Sequence, residues 1–151
     1  MKITSRFWVL ALVLFASLAR VSGAQEISLS CLGGERLSEG DMSRGVNIVV
    51  VWASWSPRSR DIVQRVNPIA SRWKGSARVS TVNFQEERQA VEGFLAGKSL
   101  GAPVCLDPDG LFAHKYNVAN LPGLLVVKDG QVLFHGKLPD DPDRAIAELL
   151  H

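Results

Sequence analysis

The chain has 151 residues, with 17 Lys and Arg against 15 Asp and Glu, and this length suits one domain of ordinary size. Lys2, Arg6 and Arg20 lie within the first 24 residues, so residues 25–151 hold 14 basic and 15 acidic side chains, a net charge of about −1. This near-neutral balance excludes a global positive field that would attract nucleic acid or an anionic surface.

The first 24 residues have the layout of a secretory signal peptide. A basic start precedes the apolar run Phe7–Leu18, and the small residues Ser22–Ala24 precede Gln25. An uncleaved anchor is the less favoured alternative, because the run is shorter than the roughly 20 residues of a membrane span. We therefore predict cleavage near Ala24, periplasmic or other export, no stable membrane anchor afterwards, and one domain over residues 25–151.

The elements that follow alternate between strands and helices. Ile27–Leu32 and Glu35–Leu37 flank Gly33-Gly34 and predict a β-hairpin. Ile48–Ala53 is continuously apolar, which is typical of a strand buried on both faces of a sheet. The remaining predicted elements are a helix over Pro57–Trp73 kinked at Pro68, a strand over Ala77–Phe84, a helix over Glu86–Leu100 ended by Gly101, a strand over Pro103–Leu106, a short helix over Leu111–Tyr116, strands over Leu124–Val127 and Val132–His135, and a helix over Arg144–Leu150. This order predicts an α/β fold in which helices cover both faces of one sheet.

Three motifs in this order resemble a known family. They are Trp52-Ala53-Ser54-Trp55 before a helix, Tyr116–Pro122 with the pattern Y-x-V-x-x-x-P, and Leu124–Val132 with the pattern of a closing hairpin. Together they resemble the thioredoxin-fold superfamily and, within it, the TlpA/ResA/DsbE-like periplasmic thiol–disulfide oxidoreductases. The resemblance implies a thioredoxin-like fold with an N-terminal β-hairpin and a βα insertion, and a cis proline at Pro122 facing the motif.

The reactive positions of that family are different in this chain. Its activity needs a thiolate at a helix N-terminus and a second cysteine three residues later. Here Ser56-Pro57-Arg58-Ser59 occupies that stretch, and a serine hydroxyl cannot form or exchange a disulfide. Val50, Leu121 and Gly123 also depart from the family pattern. The resemblance therefore implies a degenerate site with no catalytic residue among these four positions.

Ser56 has two interpretations. Serine is a preferred helix N-cap and proline is favoured at the first helical position, so Ser56 and Pro57 predict a capped helix start, with Ser59 on the helix surface. The alternative is a serine nucleophile, which would need a base such as His114 or His135. We favour the cap.

The function we predict is non-covalent. The resemblance implies a groove for extended polypeptide, in which Leu121 and Pro122 offer backbone, Trp55 an apolar contact and Arg58 a charge. A solvated helix start with no binding role is an equal alternative for Trp55 and Arg58. The main hypothesis is thus an exported protein- or peptide-binding or assembly module with an envelope partner and no nucleic-acid partner. No cofactor is implied, and His114, His135 and His151 lack the spacing of metal ligands.

The two cysteines support an alternative function. Cys31 and Cys105 could form a disulfide in an oxidising compartment, or be two separate buried hydrophobic residues. The alternative to the binding module is a thiol–disulfide oxidoreductase that acts through Cys105 or Cys31, or with a partner thiol. The predicted burial of Cys105 in a strand argues against its reactivity.

Overall fold

The structure is a computed structural model that describes residues 23–151. The predicted signal peptide, residues 1–24, lies almost wholly outside these residues. Across the described range, no helix has the length and apolar character that a membrane crossing requires.

Seven strands and five α-helices follow one another along the described chain. In order they are β1 Ser28–Ser30, β2 Arg36–Ser38, α1 Glu39–Met42, β3 Val46–Trp52, a 3₁₀ turn Pro57–Ser59, α2 Ile62–Trp73, β4 Arg78–Phe84, α3 Arg88–Leu95, β5 Val104–Asp107, α4 Leu111–Lys115, β6 Gly123–Lys128, β7 Gln131–Lys137 and α5 Pro142–Leu150.

The main sheet has the order β5-β4-β3-β6-β7, and β1 and β2 form a separate antiparallel hairpin. The neighbours β3, β4 and β5 run parallel, while β6 and β7 are antiparallel to their partners. β3 lies in the middle of this sheet, and both faces of the sheet are covered. Its apolar run Ile48–Trp52 is therefore fully buried. The predicted α/β class and the buried strand are confirmed.

Alternate residues of β3 point into two different cores. Val49 and Val51 pack with the β1–β2 hairpin and with α4, whereas Ile48, Val50 and Trp52 pack under α2, α3 and α5. The sheet therefore separates two hydrophobic layers, one on each of its faces.

The structure corrects several predicted boundaries. The helix predicted over Pro57–Trp73 is a 3₁₀ turn followed by α2, because the backbone of Asp61 leaves helical geometry at φ −98° and ψ 23°. α2 passes through Pro68 without ending. The short helix α1 was not predicted.

The second predicted helix is also shorter than expected. α3 ends at Leu95 and not at Leu100, because Ala96 leaves helical geometry at ψ 125° and Gly97 then adopts a φ of 73°. The side chain of Asn67 on α2 accepts from Gly101 N at 2.7 Å and donates to Ser99 O at 2.9 Å, so this stretch is a loop fixed to α2.

Candidate functional site

The loop after β3 is anchored by a carboxylate from the next strand's end. Glu86, just after β4, accepts from the backbone N–H of Ser54 at 2.7 Å, from the Ser54 hydroxyl, and from the Asn83 amide at 2.6 Å. Charge-assisted bonds of this kind fix geometry strongly. They hold the Trp52–Trp55 stretch in place above the carboxyl ends of the parallel strands.

Ser56 begins the 3₁₀ turn and faces the loop before β6. Its side chain is buried and caps no backbone N–H; its hydroxyl instead donates to Leu121 O at 3.3 Å. The predicted N-cap is therefore wrong for the side chain, because the turn starts in 3₁₀ geometry and the hydroxyl finds a carbonyl across the site. Pro57 does occupy the first helical position.

Ser59 is the second serine of the stretch, and it is completely buried. The prediction of a surface position is wrong, because the turn folds back over the core before α2 begins. The Ser59 hydroxyl has no hydrogen-bond partner among the residues that the structure describes. A buried hydroxyl without a partner costs free energy, roughly 1–3 kcal/mol in proteins.

The opposing loop is shaped by a cis peptide bond. Leu121-Pro122 is cis, as the resemblance implies, and Leu138 N donates to Pro122 O at 3.0 Å. Gly123 follows, and a Cβ built there would lie 2.5 Å from Val118 Cγ1 and 2.6 Å from Asn120 O. The departure from the family pattern at Gly123 thus has a local reason: the loop approaches the strand too closely for any larger residue.

The geometry gives no support to a serine nucleophile. Within residues 23–151, Ser56 makes its side-chain hydrogen bond to a carbonyl and not to a base. His114 is exposed, and His135 Nδ1 lies 3.0 Å from Asn117 O. Neither histidine activates Ser56, and the two hydroxyls can hold structure or bind a ligand but cannot exchange disulfides.

The predicted groove residues gather around a cleft of about 380 Å³. Arg58, Leu121 and Pro122 line it, and Trp55 stands next to Ser56 with 58% of its surface exposed. Trp55 is therefore accessible to solvent. A binding role for these residues remains a proposal.

Sequence reasoning missed Lys137, Asp61, Asp140 and Glu86 at this edge. The first three line the cleft, as does Arg60. Glu86 could have been anticipated, since carboxyl ends of neighbouring parallel strands meet at one edge of a sheet. The position of Lys137 depends on how β7 pairs with β6, which no local pattern specifies.

The two cysteines form a disulfide in the other layer. Cys31 and Cys105 are joined with their Cα atoms 3.7 Å apart, where the backbone after β1 bridges β5 in antiparallel fashion. The sulfur-bearing side chains are 2% and 1% exposed. They pack with Val51 and Val82, so the disulfide and helix α2 lie on opposite faces of the sheet.

Two arginines and a small cavity border the disulfide. A cavity of about 160 Å³ is lined by both cysteines, Arg36, Arg78 and Ser80, among others. Arg36 Nε donates to Ser28 Oγ at 3.1 Å, and Arg78 pairs with Asp41 at 2.6 Å. Glu35 lines the same cavity, so the solvent side of the sulfur atoms carries charges of both signs.

No family model matches this sequence. Solved structures do resemble it. A protein of Chlorobium tepidum that is described as a thiol:disulfide interchange protein, DsbE, aligns with a TM-score of 0.70 at 23% identity, covering 84% of this chain and 92% of its own.

Two further structures match to a similar degree. The exposed lipoprotein thioredoxin of Streptococcus pneumoniae gives a TM-score of 0.72 at 18% identity over 83% of this chain and 98% of its own. StoA of Bacillus subtilis gives a TM-score of 0.67 at 21% identity, over 83% of this chain and 96% of its own. Likenesses at this level of identity establish the fold.

Proposed function

We propose that this chain, which has the thioredoxin-like fold of these proteins, is an exported thiol–disulfide oxidoreductase whose exchanging pair is Cys31–Cys105. The observation that carries the proposal is the disulfide itself, formed within a fold whose structural neighbours include a thiol:disulfide interchange protein. Export is supported by the secretory layout of residues 1–24 and by a neighbour described as an exposed lipoprotein.

The proposed reaction is a two-electron exchange with a partner dithiol. A thiolate of the partner attacks one sulfur of Cys31–Cys105, the S–S bond breaks, and the other cysteine leaves as a thiolate. The partner's second thiolate then attacks the mixed disulfide. The products are the chain's dithiol and an oxidised partner, so two electrons pass from the partner to this chain and the partner's two protons end on the cysteines or in solvent.

The cavity beside the two sulfur atoms gives a reacting partner a polar approach. Arg36, Arg78 and Glu35 line it, and Arg78 is paired with Asp41. The sulfur atoms themselves are almost fully buried, so exchange requires the β1–β2 hairpin to open. This hairpin lies outside the main sheet but is joined to β5 beside the disulfide, so its opening must break the hydrogen bond from Leu32 N to Val104 O.

Single-cysteine variants test this proposal. Cys31→Ser and Cys105→Ser each leave one sulfur, which should form a mixed disulfide with a dithiobis(nitrobenzoate)-activated peptide under native conditions, read by intact mass. Ser99→Cys in a Cys31→Ser, Cys105→Ser background is the matched control for an exposed thiol. Wild-type protein in excess reduced glutathione, assayed for a glutathione adduct, covers the case in which a variant fails to fold.

Adducts that form in folded protein, within about a hundredfold of the control rate, support the proposal. Adducts that form only in denaturant, for the wild type and both variants, contradict it. In that case the disulfide is a structural crosslink.

A second candidate function is non-covalent binding of an extended polypeptide. The observation that favours it is the contact from Ser56 to Leu121 O beside cis-Pro122, which maintains a shaped cleft without any sulfur. The degenerate stretch Ser56–Ser59 then serves as scaffold, and Trp55, Arg58, Leu121 and Pro122 contact an envelope protein or peptide. Binding of a permanently unfolded, alkylated polypeptide, measured by calorimetry with wild type and Trp55→Ala, tests it: loss of binding in the variant supports it, and no binding to wild type contradicts it.

A further inference from the structure

Three cations stand together at the site edge without partners. We call Arg58, Arg60 and Lys137 the cationic cluster; they come from the 3₁₀ turn, its end and β7, and line one cleft beside Pro122. All three are exposed, and none makes an ion pair or side-chain hydrogen bond in the part of the chain that the structure describes. Asp61 and Asp140 share the cleft but form no ion pair there, so the cluster is available to an external anionic group.

An apolar surface lies on the other side of the same loop. We call Phe84, Leu111, Ala113 and Val118 the apolar groove. They form the apolar part of a shallow cavity of about 720 Å³, whose other lining residues include Gln85, Asp109, His114, Asn117 and Ala119. Leu111 is 57% exposed and borders the other apolar residues of the groove, so its exposed surface is part of a patch. The exposed ring of Trp55 leans on Phe84, with ring centroids 6.5 Å apart, and extends this surface towards Ser56.

The same two loops build both features. The loop before β6 contributes Asn117–Ala119 to the apolar groove and Asn120–Pro122 to the cleft of the cationic cluster. The loop after β3 places Trp55 against Phe84 of the groove and contributes Pro57, Arg58 and Arg60 to the cleft. Because consecutive residues of each loop serve the two features, a short extended segment of roughly 3.3 Å per residue can contact both.

From this juxtaposition we infer that the surface binds an extended acidic polypeptide segment carrying one bulky apolar side chain. The carboxylates lie on the cationic cluster, and the apolar side chain enters the groove beside Trp55. The inference rests on the second function proposed above, non-covalent polypeptide binding, and adds the sequence class of the ligand. Charge complementarity selects acidic over basic segments, because like charges juxtaposed at an interface are strongly unfavourable.

The test uses two synthetic peptides and matched charge-reversal variants. The first peptide has twelve residues, eight of them Asp or Glu around a single Phe; the second replaces every acidic residue with Lys. Arg58→Glu with Arg60→Glu reverses part of the cluster. Arg72→Glu with Lys74→Glu is the matched control, because it makes the same charge change at the far, exposed end of α2.

We expect the acidic peptide to bind, with affinity falling as salt rises, and the lysine peptide not to bind. The site variant should bind the acidic peptide at least about tenfold more weakly, while the control variant stays within about threefold of wild type. Phe→Ala in the acidic peptide, or Leu111→Ser in the protein, should also weaken binding.

Equal binding of both peptides, or equal losses in the two double variants, overturns the inference. If unfolded polypeptide binds regardless of charge, the proposed binding function stands and only the ligand class is wrong. If no polypeptide of any charge binds, both fail.

Discussion

A disulfide-exchange site usually combines a position at a strand-to-helix junction with reactive sulfur atoms. In this protein the serine stretch has the first property and the disulfide hairpin has the second. The serine stretch, Ser56–Ser59, sits at a strand-to-helix junction against a cis proline but offers only oxygen. The disulfide hairpin, β1–β2 with Cys31–Cys105, offers sulfur but buries it on the other face of the sheet. Position in the fold and the identity of the reactive atom are therefore separate properties, and the function of each site depends on both.

The largest expected effect is on the hairpin. The disulfide closes a loop across 74 residues, and the chain-entropy model gives about 4 kcal/mol of stabilisation for such a loop. Cys31→Ala with Cys105→Ala should lower the free energy of unfolding by about that amount in urea titrations, and reduced wild type should coincide with the variant. A loss of unfolding free energy below about 1 kcal/mol would mean that the unfolded chain is already constrained without the disulfide. The hairpin would then contribute no more to stability than the serine stretch does.

The next effect concerns the anchor of the serine stretch. Glu86→Ala leaves the Ser54 N–H and the Asn83 amide without their acceptor, and should cost about 2 kcal/mol. Glu87→Ala is the matched control, since Glu87 is an exposed neighbour whose side chain makes no capping bond to α3. Thermal and urea unfolding measure both variants. Equal losses of unfolding free energy would show that the Glu86 hydrogen bonds do not stabilise the protein.

Within the serine stretch, the two hydroxyls should respond in opposite directions. Ser59→Ala removes a buried hydroxyl without a partner and should stabilise the protein by about 1 kcal/mol. Ser56→Ala removes the bond to Leu121 O and should destabilise it by about 0.5 kcal/mol. Unfolding midpoints measured side by side would contradict this if Ser59→Ala were the more destabilising change.

The smallest effect is a pH dependence that belongs to the hairpin region. The Ser38 backbone N–H, and then the Ser38 hydroxyl and Arg78, hold the pKa of Asp41 below its ordinary value of 3.8, against an opposing effect of burial. Because the folded pKa is lowered, the stabilisation is complete well above pH 3.8 and disappears as the pH falls through the lowered folded value. The stability gap between wild type and Asp41→Asn should therefore shrink between pH 6 and pH 3, and a constant gap would contradict the assignment.

The sequence was most informative where local pattern and burial coincide. The uninterrupted β-branched run in Ile48–Val51 fixed the central strand, because only a position covered on both faces tolerates it. The order of three motifs was enough for the fold, including the cis bond at Pro122. Only part of the cleft lining could be predicted: Arg58, Leu121 and Pro122 were expected there, but Lys137 was not.

The features that were missed depend on long-range geometry. Whether Cys31 meets Cys105 is decided by the docking of the hairpin on β5, 74 residues away in the chain. The burial of Ser59 depends on how the 3₁₀ turn folds over the sheet before α2, which helix propensity alone does not report. Glu86 anchors the loop after β3 because the ends of β3 and β4 lie side by side, which the sequence around Glu86 does not indicate.

Equilibration of the protein in glutathione redox buffers tests the central claim most directly. The fraction of Cys31–Cys105 in the oxidised state is read by alkylation and mass spectrometry, with and without denaturant, while near-ultraviolet circular dichroism monitors the fold. We predict reversible two-electron reduction of the folded protein with a midpoint above about −300 mV, because resistance below that potential marks structural disulfides. A disulfide that stays oxidised across the whole series until the protein unfolds would contradict the claim.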